Sequence, residues 1–260
     1  MREVDDALAH AYAQPQRGSP DHARGAVPPP HHIPPRAVAP AARPYSGAST
    51  SGTLSWPALV LTLEQSYGDR FERMADALIE ARDRKQLKVL LFTSGHRAEG
   101  RTTLVLTLAR ALARRPGRTL LVDADLSGPM LARHLGLRPD TGLDDVIEYG
   151  QSLTEALIHA PEDNLTLLPL RLPVAHPKGF LASPGWACAM ARVRREFDLV
   201  LLDGSPLFAG LSAAVLHRSV DAAVLVHNRA LTGSRGLARA CEVLDAGGVP
   251  LLGLAETFVA

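Results

Sequence analysis

An apolar strand that leads directly into a glycine-containing loop and then a helix restricts the folds open to this chain. Residues 89–93 read Val-Leu-Leu-Phe-Thr, and a helical stretch at 102–114 follows the loop. Further short apolar runs occur at residues 119–122, 165–168, 199–202, 222–226 and 251–254. Helical stretches separate several of these runs, at residues 184–195, 211–218 and 235–246. Strands that are apolar on both faces and alternate with helices predict an α/β sandwich of three layers around a mainly parallel sheet.

The proline content divides the chain near residue 55. Nine of its 20 prolines lie within the first 50 residues, among Ser, Gly, Ala and Arg. A segment of this composition cannot bury enough apolar surface to offset the entropy that it loses on ordering. We therefore predict a disordered Pro-rich arm at residues 1–55 and one globular domain at residues 56–260. The domain is expected to begin with an amphipathic helix at residues 59–84.

Charge and composition exclude several classes of protein. The 260 residues include 28 Lys and Arg and 27 Asp and Glu, and a net charge of +1 gives no reason to expect a nucleic-acid partner. The two cysteines, Cys188 and Cys241, are too few for a disulfide scaffold or a zinc site. No apolar run approaches the roughly 18 to 20 residues that cross a bilayer, and no secretory signal is recognisable. We expect a cytoplasmic protein that does not insert into the membrane.

The loop after the first apolar strand fits a phosphate-binding pattern. Residues 95–103 match G-x-x-x-x-G-[KR]-[ST] between a strand and a helix, which is the context that this motif requires. Backbone amides of such a loop point at a phosphate, and glycines let the backbone approach it. The alternative, an ordinary turn, explains the pattern less well, so we predict a P-loop NTPase-type domain. The candidate nucleotide-binding residues are Gly95, Glu99, Gly100, Arg101, Thr102 and Thr103.

Arg101 stands where this motif usually has lysine. A lysine ammonium is compact and reaches the β and γ phosphates, whereas a guanidinium is planar, larger and rigid. Arginine keeps the positive charge at this position but changes how the side chain fits against the phosphates. We therefore expect weakened binding of a triphosphate and reduced phosphoryl transfer, while binding of ADP or residual binding of ATP stays open.

Three aspartates follow two of the apolar strands. Asp123 and Asp125 come at the end of one strand, and Asp203 comes at the end of another. In a parallel sheet these ends line the crevice where ligands bind. Carboxylates there can hold Mg²⁺ or its waters, together with the hydroxyl of Thr102, and one can accept a proton from an attacking hydroxyl. A single aspartate at such a place is better explained as a helix cap; three beside a phosphate loop favour the metal site.

Taken together, these motifs resemble the bacterial tyrosine kinases, the P-loop autokinases of polysaccharide synthesis, and more distantly the MinD/ParA ATPases. The similarity extends from about residue 69 to residue 259. Residues 123–127 resemble the family's DxDxR motif, and residues 203–206 resemble its DxPP motif. The resemblance implies that Asp123 is the catalytic base, that Arg101 takes the place of the phosphate lysine, and that Mg·ATP or Mg·ADP is the cofactor. It also implies a membrane-anchored activator or polysaccharide copolymerase as partner, contact with the inner face of the plasma membrane through that partner, and a homo-oligomer.

The chain departs from the family pattern at several positions. Arg97-Ala98 replaces Pro-Gly in the loop, and Ser127 replaces the arginine of DxDxR. The oligomer motif E-x-x-R-x-x-R corresponds to Asp69, Glu72 and Ala75 here. The last strand is followed by no tyrosine cluster, and Thr257 stands where the family has an asparagine that helps to hold the base.

Three functions are consistent with this sequence. The first is a degenerate, kinase-like regulator of exopolysaccharide synthesis or export that binds a nucleotide weakly or not at all. The second is an active ATPase or protein tyrosine kinase that uses Arg101, which the retained Thr102 and aspartates favour. The third is a MinD/ParA-like positioning switch; against it, His96 stands where that group has an early lysine.

Overall fold

The computed structural model describes residues 50–209 and 219–258. Eight strands form one sheet in the order β1-β4-β5-β3-β6-β2-β7-β8. The strands are β1 (Thr50–Ser51), β2 (Val89–Ser94), β3 (Thr119–Ala124), β4 (Ile158–Ala160), β5 (Leu165–Leu168), β6 (Leu199–Gly204), β7 (Ala222–His227) and β8 (Leu251–Glu256). All neighbouring strands pair in parallel except β4 and β5, which are antiparallel.

Eight α-helices cover the sheet in the described part of the chain. They are α1 (Ala58–Lys85), α2 (Arg101–Ala113), α3 (Leu131–His134), α4 (Leu143–Tyr149), α5 (Leu153–Ala156), α6 (Pro177–Leu181), α7 (Pro184–Glu196) and α8 (Ser234–Ala246). Two 3₁₀ turns occupy Pro161–Asp163 and Leu207–Ala209. Among the described residues, no helix is long and apolar enough to span a bilayer.

The apolar residues form two cores, one on each face of the sheet. Successive residues of a strand point to opposite faces, so neighbouring residues of β2 belong to different cores: Leu91 to one and Leu90 to the other. Trp186 of α7 packs in the first core, and Leu108 of α2 packs in the second. The expected α/β sandwich with a mainly parallel sheet is confirmed.

The structure agrees with the expected strands and adds elements that the sequence did not predict. Each of the six expected strands is present, and most extend one or two residues further at the C-terminal end. The strand β4 was missed because three residues, Ile158–Ala160, are too few to show a periodic pattern. The helix expected at residues 211–218 lies outside the described residues.

The folded part of the chain starts before the boundary expected at residue 55. Thr50 pairs with Ile158, the amide of Gly52 donates to the carbonyl of His159 at 3.0 Å, and Leu54 is buried. The Trp56 indole donates to Asp163 at 2.8 Å. Residues 50–55 therefore belong to the fold, which corrects that boundary. Residues 1–49 lie outside the described residues, so a disordered arm there stays a prediction.

Helices α1 and α2 are joined by a cluster of ion pairs on the surface of the domain. Glu64 accepts from Arg110 at 2.8 Å and from Arg114 at 2.5 Å. Glu72 accepts from Arg114 and Arg115, at 2.6 Å each. The carboxylate of Glu72 is thus engaged within its own chain, at a position that resembles the family's oligomer motif. Ala75, another of those positions, is fully buried.

Candidate phosphate-loop site

The candidate loop lies at the carboxyl edge of the central strands. It connects β2 to α2, and β2 pairs with β6, which pairs in turn with β3. In this register Asp123 of β3 is directly beside Asp203 of β6. The sheet therefore brings together the loop and the three aspartates that the sequence analysis singled out, as the strand ends predicted.

The side chain of Arg101 turns into the protein. It is 7% exposed, and its Nε donates to Asp203 Oδ1 at 2.9 Å. Its two terminal nitrogens donate to Ser94 Oγ at 3.0 Å and to Asp125 Oδ2 at 3.1 Å. The guanidinium therefore pairs with two of the carboxylates that we expected to hold a metal.

Thr102 also contacts Asp203. Its hydroxyl donates to Asp203 Oδ2 at 2.8 Å, so both oxygens of this carboxylate accept a hydrogen bond. Burial raises the pKa of Asp203, and the charge of Arg101 opposes that shift. The hydroxyl expected on a metal is thus used in a bond within the protein.

Asp123 holds backbone amides. Its Oδ2 accepts from Met130 and Leu131, at 3.0 Å and 2.9 Å, and its Oδ1 accepts from the amide of Asp125 at 3.2 Å. Burial and, to a smaller extent, the nearby charge of Asp203 raise the pKa of Asp123 to about 7. These contacts are those of a cap at the start of α3, the alternative that the sequence left open for a lone strand-end aspartate.

Asp125 lies between two arginines. Besides Arg101, it accepts from Arg97 at 3.1 Å, and Ser205 Oγ donates to its Oδ1 at 3.0 Å. Arg97 also donates to Ser127 Oγ at 3.0 Å. The loop thus reaches across the site and binds the segment after β3 from its other side.

Two positions of the loop have backbone angles that favour glycine. Gly100 has φ of +80°, which suits glycine because it has no Cβ. Ala98 has φ of +62°, at the position where the resemblance places a glycine. A Cβ on Gly95 would meet the ring of Phe208 at 3.0 Å. The loop keeps the shape that its two glycines permit, with one strained alanine in place of a third glycine.

Glu99 anchors the loop to a distant part of the chain. Its carboxylate is 1% exposed and accepts from the amide of His96 at 2.9 Å and that of Asn228 at 3.2 Å, and from the hydroxyl of Thr232. Thr257 Oγ1 donates to its carbonyl at 2.7 Å. Glu99 also lines the cavity beside the loop, so its assignment as a nucleotide-binding residue stays a prediction, while its carboxylate binds protein groups that hold the loop.

A cavity of about 190 Å³ opens beside the loop. The loop and the start of α2 line it with residues 97–103, the strand ends contribute Asp125 and Asp203, and the segment after β3 contributes Gly128, Met130 and His134. The amides that begin α2 have no helical carbonyl to which they can donate. The cavity therefore offers an anion room, the first amides of α2 and the partly exposed guanidinium of Arg97, while the guanidinium of Arg101 is paired with Asp125 and Asp203.

The arrangement does not fit Mg²⁺. Both oxygens of Asp203 and of Asp123 accept hydrogen bonds, and Asp125 is paired with two guanidinium groups. Within residues 50–209 and 219–258, no group of three or more His, Cys, Asp or Glu side chains is placed to hold a metal ion. The residues that we expected to bind the metal lie close together, but the guanidinium of Arg101 compensates the charges of Asp125 and Asp203.

Four participants in this network were missed by the sequence analysis as site residues: Ser94, Arg97, Ser205 and Thr232. One signal was available. Arg97 appears in the loop in a chain whose DxDxR-like motif has lost its arginine to Ser127, and the structure joins these two residues. The partners of Ser94, Ser205 and Thr232 are set by the fold, and no local pattern marks them.

Comparison with known proteins identifies a group of relatives. Tyrosine-protein kinase CpsD of Streptococcus pneumoniae is 27% identical over 170 residues, which are 65% of this chain and 75% of that protein. Tyrosine-protein kinase YwqD of Bacillus subtilis is 29% identical over 170 residues, which are 65% of this chain and 71% of that protein. This chain resembles the bacterial tyrosine kinases. No protein-family model matches it.

Solved structures agree with that resemblance. The kinase domain of VpsO has a TM-score of 0.65 and 25% identity, and the match covers 75% of this chain and all of that domain. The cell division ATPase MinD of Pyrococcus furiosus is a more distant neighbour, with a TM-score of 0.52, 26% identity, and coverage of 64% of this chain and 70% of that chain. Both expected resemblances, to the kinases and more distantly to MinD, are confirmed.

Proposed function

We propose that this chain is a kinase-like P-loop protein that regulates exopolysaccharide synthesis or export, with phosphoryl transfer weakened or lost. The observation that carries the proposal is the inward position of the Arg101 side chain. Arg101 lines the phosphate cavity, but its guanidinium donates to Asp203, Asp125 and Ser94, so it must give up these bonds before it can contact a transferred phosphate. Positioning and charge stabilisation supply nearly all of the catalysis in phosphoryl transfer, so the loss of this contact removes much of it.

The position of Asp123 supports the same proposal. A catalytic base must lie within hydrogen-bond reach of the attacking hydroxyl. The carboxylate of Asp123 is fully buried, and it accepts three backbone hydrogen bonds. Its raised pKa is explained by burial and does not by itself indicate a base. A base that is held in this way has no route to a protein hydroxyl.

The remaining contacts support a binding role for the site. The loop keeps its two glycines and is held by Glu99 against Asn228 and Thr232. Thr102 and Thr103, at the start of α2, line a cavity of about 190 Å³, where the phosphates of ATP or ADP would bind. We infer that a nucleotide, if bound, stabilises a conformation and is not consumed.

The partner follows from the relatives. Several are tyrosine-protein kinases, including CpsD and YwqD. We propose that this chain acts, like the family it resembles, through a membrane-anchored activator or polysaccharide copolymerase, at the inner face of the membrane and as a homo-oligomer. Co-purification of the tagged chain with detergent-solubilised membranes of its own cells tests this; recovery of the chain in the soluble fraction alone contradicts it.

The central test is a calorimetric titration with Mg·ADP and Mg·ATP, followed by assays of ATP turnover and of tyrosine phosphorylation on the same sample. The proposal expects weak or undetectable binding and no turnover above that of a protein-free blank. Arg101→Lys is the informative variant, because lysine restores the usual residue of the motif. Measurable turnover by the unaltered chain contradicts the proposal.

An active ATPase or tyrosine kinase is the second candidate. It is favoured by the cavity beside the loop, which has Thr102 and Thr103 on its wall and remains open to a phosphate. In that case Arg101 must leave Asp203 and Asp125 and turn toward the ligand. Turnover that is lost in Arg101→Lys, where the distinctive guanidinium is absent, identifies this second function.

A further inference from the structure

The Arg101 guanidinium occupies the place where the site would otherwise hold a cation. Its Nε lies 2.9 Å from Asp203 Oδ1, and one terminal nitrogen lies 3.1 Å from Asp125 Oδ2. All three side chains are at most 7% exposed. A buried carboxylate requires a compensating charge, and Arg101 provides it for both Asp125 and Asp203. Arg97 adds a second, more exposed charge beside Asp125.

We propose that Arg101 is the resident cation of this site, so that the site binds a polyphosphate group without a divalent metal. The inference rests on the proposed function, because it concerns the same loop and cavity. The ligand class is the diphosphate or triphosphate group of a nucleotide, or inorganic pyrophosphate, which has the same oxyanion chemistry. Arg101 is a positioning residue in this scheme, since it holds the aspartates and balances their charge.

Competition between Arg101 and a divalent metal explains why we expect binding of the polyphosphate to be independent of Mg²⁺. A divalent cation that bound Asp125 and Asp203 would be adjacent to the guanidinium and repelled by it. To make room, Arg101 would have to leave a buried position in which each of its three nitrogens donates a hydrogen bond. Its exit toward solvent would also leave Ser94 without that donor. The metal therefore gains no free ligand until the site has been rebuilt.

Arg97 supplies the charge that faces the ligand. Its side chain is 52% exposed, and Arg97 lines the cavity together with Thr102 and Thr103. It lies close to Gly128, where an added Cβ would be 2.9 Å from one of its terminal nitrogens. A guanidinium can pair with phosphate oxygens through two donors at once, which a lysine cannot do. The terminal nitrogens of Arg97 donate to Asp125 and Ser127, so Arg97 uses its remaining N–H donors to take over the phosphate contact that Arg101 does not make.

The test is a calorimetric titration of the full chain with ADP and, separately, with pyrophosphate. Each is measured once in excess EDTA and once in excess Mg²⁺. We expect the Kd of the unaltered chain to be the same in both, within about twofold. Binding of both ligands indicates recognition of the polyphosphate, and binding of ADP alone indicates that the nucleoside is required as well. Binding of either one in EDTA, with a Kd that Mg²⁺ does not lower by about tenfold or more, supports the proposal.

Arg101→Lys is expected to introduce metal dependence. One ammonium cannot bridge Asp125, Asp203 and Ser94 as the guanidinium does, so at least one carboxylate becomes available to Mg²⁺. In this variant Mg²⁺ should tighten ADP binding by about tenfold or more, and should raise the melting temperature without ligand. Arg118→Lys makes the same change at a residue that is 66% exposed and remote from the loop, and should behave as the unaltered chain.

Arg97→Gln tests the other half of the proposal. Removal of its charge should weaken ADP binding in EDTA by about tenfold, because a charge-assisted contact to phosphate is lost. In excess Mg²⁺, the substitution should weaken ADP binding by the same factor. An unchanged Kd would overturn the assignment of Arg97 as the ligand-facing charge.

Each remaining outcome is decisive. If Mg²⁺ tightens binding to the unaltered chain by about tenfold or more, or if neither ligand binds, the inference is overturned while the proposed function stands. ATP turnover by the same protein preparation, measured separately with Mg·ATP, overturns the proposed function instead. If Arg101→Lys does not fold, as judged by circular dichroism, Mn²⁺ binding to the unaltered chain with ADP is measured by electron paramagnetic resonance. Mn²⁺ held at the site overturns the inference, and free Mn²⁺ beside bound ADP supports it.

Discussion

The two ends of α2 carry arginine–carboxylate clusters that differ in their exposure to water. At its start, Arg101 pairs with Asp125 and Asp203, and none of the three side chains is more than 7% exposed. At its end, Arg114 and Glu72 are 46% and 37% exposed. We call these the inner cluster and the outer cluster; the outer one also includes Glu64, Arg110, Arg115 and Asp76.

The difference between the clusters concerns what happens when one member is removed. In the outer cluster, water and salt replace a lost partner, so each pair contributes little to stability. In the inner cluster water cannot enter freely, and a lost partner leaves a buried charge behind. Similar residue pairs on one helix therefore have different roles: the outer cluster joins two helices, and the inner cluster fixes what the site can bind.

The largest expected effect is that of Arg101→Met. The substitution keeps an apolar stem and leaves Asp125 and Asp203 buried without their main cation, which should cost about 3 to 5 kcal/mol of unfolding free energy. Urea denaturation measures the loss. It should shrink at lower pH, because protonation removes the unpaired charges. Arg118→Met on the surface is the control; equal losses for both variants would show that burial of the inner cluster is not what matters.

The second prediction concerns pH and Asp123. Its pKa of about 7 in the fold lies above the ordinary value of 3.8, so the folded state holds the proton more tightly than the unfolded chain. This contribution to stability is complete below the unfolded pKa and is lost as the pH rises through the folded one. As the pH rises from about 5 to about 7, titration of Asp123 should lower the free energy of unfolding by up to about 1.4 kcal/mol for each pH unit.

Urea denaturation across this pH range measures the slope, and Asp123→Asn should reduce it. The raised pKa of Asp203 acts in the same direction, so some slope should remain in the variant. A chain that is more stable at the upper end of the range, with no difference between Asp123→Asn and the unaltered protein, would contradict the raised pKa.

Glu99→Gln should have an intermediate effect. The carboxylate accepts hydrogen bonds from two amides and one hydroxyl. In glutamine, an NH₂ group replaces one of the accepting oxygens and would face one of these donors. We expect a loss of about 1 to 3 kcal/mol and faster hydrogen exchange in the loop. Glu162→Gln changes an exposed glutamate and is the control. Unchanged exchange in residues 95–100 would show that the loop does not depend on this anchor.

The smallest effect is expected for Glu72→Gln in the outer cluster. Hydrogen bonds from Arg114 and Arg115 lower the pKa of Glu72, but the pair is exposed and screened. The expected loss is about 0.2 to 1 kcal/mol, and it should vanish in high salt. Measurement of Arg101→Met in the same salt series sharpens the comparison, because its loss should persist. A Glu72 effect as large as that of Arg101 would end the distinction between the clusters.

The sheet was predictable from the sequence because its strands are long and apolar on both faces. Residues 89–93 and 199–202 are recognisable as strands from their own composition, and the alternation of strands with helices predicted that the strands run mainly in parallel. The strands β1 and β4 were missed, since two or three residues carry no period. Their existence depends on pairing with each other and with β5.

The sequence predicted which aspartates lie near the loop, but it did not predict the hydrogen bonds between their side chains and the loop. Strand ends of a parallel sheet meet at one edge, so the sequence placed Asp123, Asp125 and Asp203 together correctly. It did not predict that Arg101 turns toward Asp203, which lies 102 residues away in the chain. Side-chain direction depends on neighbours that only the fold supplies. The same holds for Glu99 and Thr232, which are 133 residues apart.

The anchoring of Glu99 has a consequence for the order in which a ribosome makes this domain. The loop is synthesised early, with β2, but Asn228, Thr232 and Thr257 leave the ribosome more than a hundred residues later. Domains fold as units during synthesis, so the loop stays without its anchors while most of the sheet is being made. The nascent chain therefore has no finished site to offer a ligand, and a product that stops before residue 228 would never acquire one.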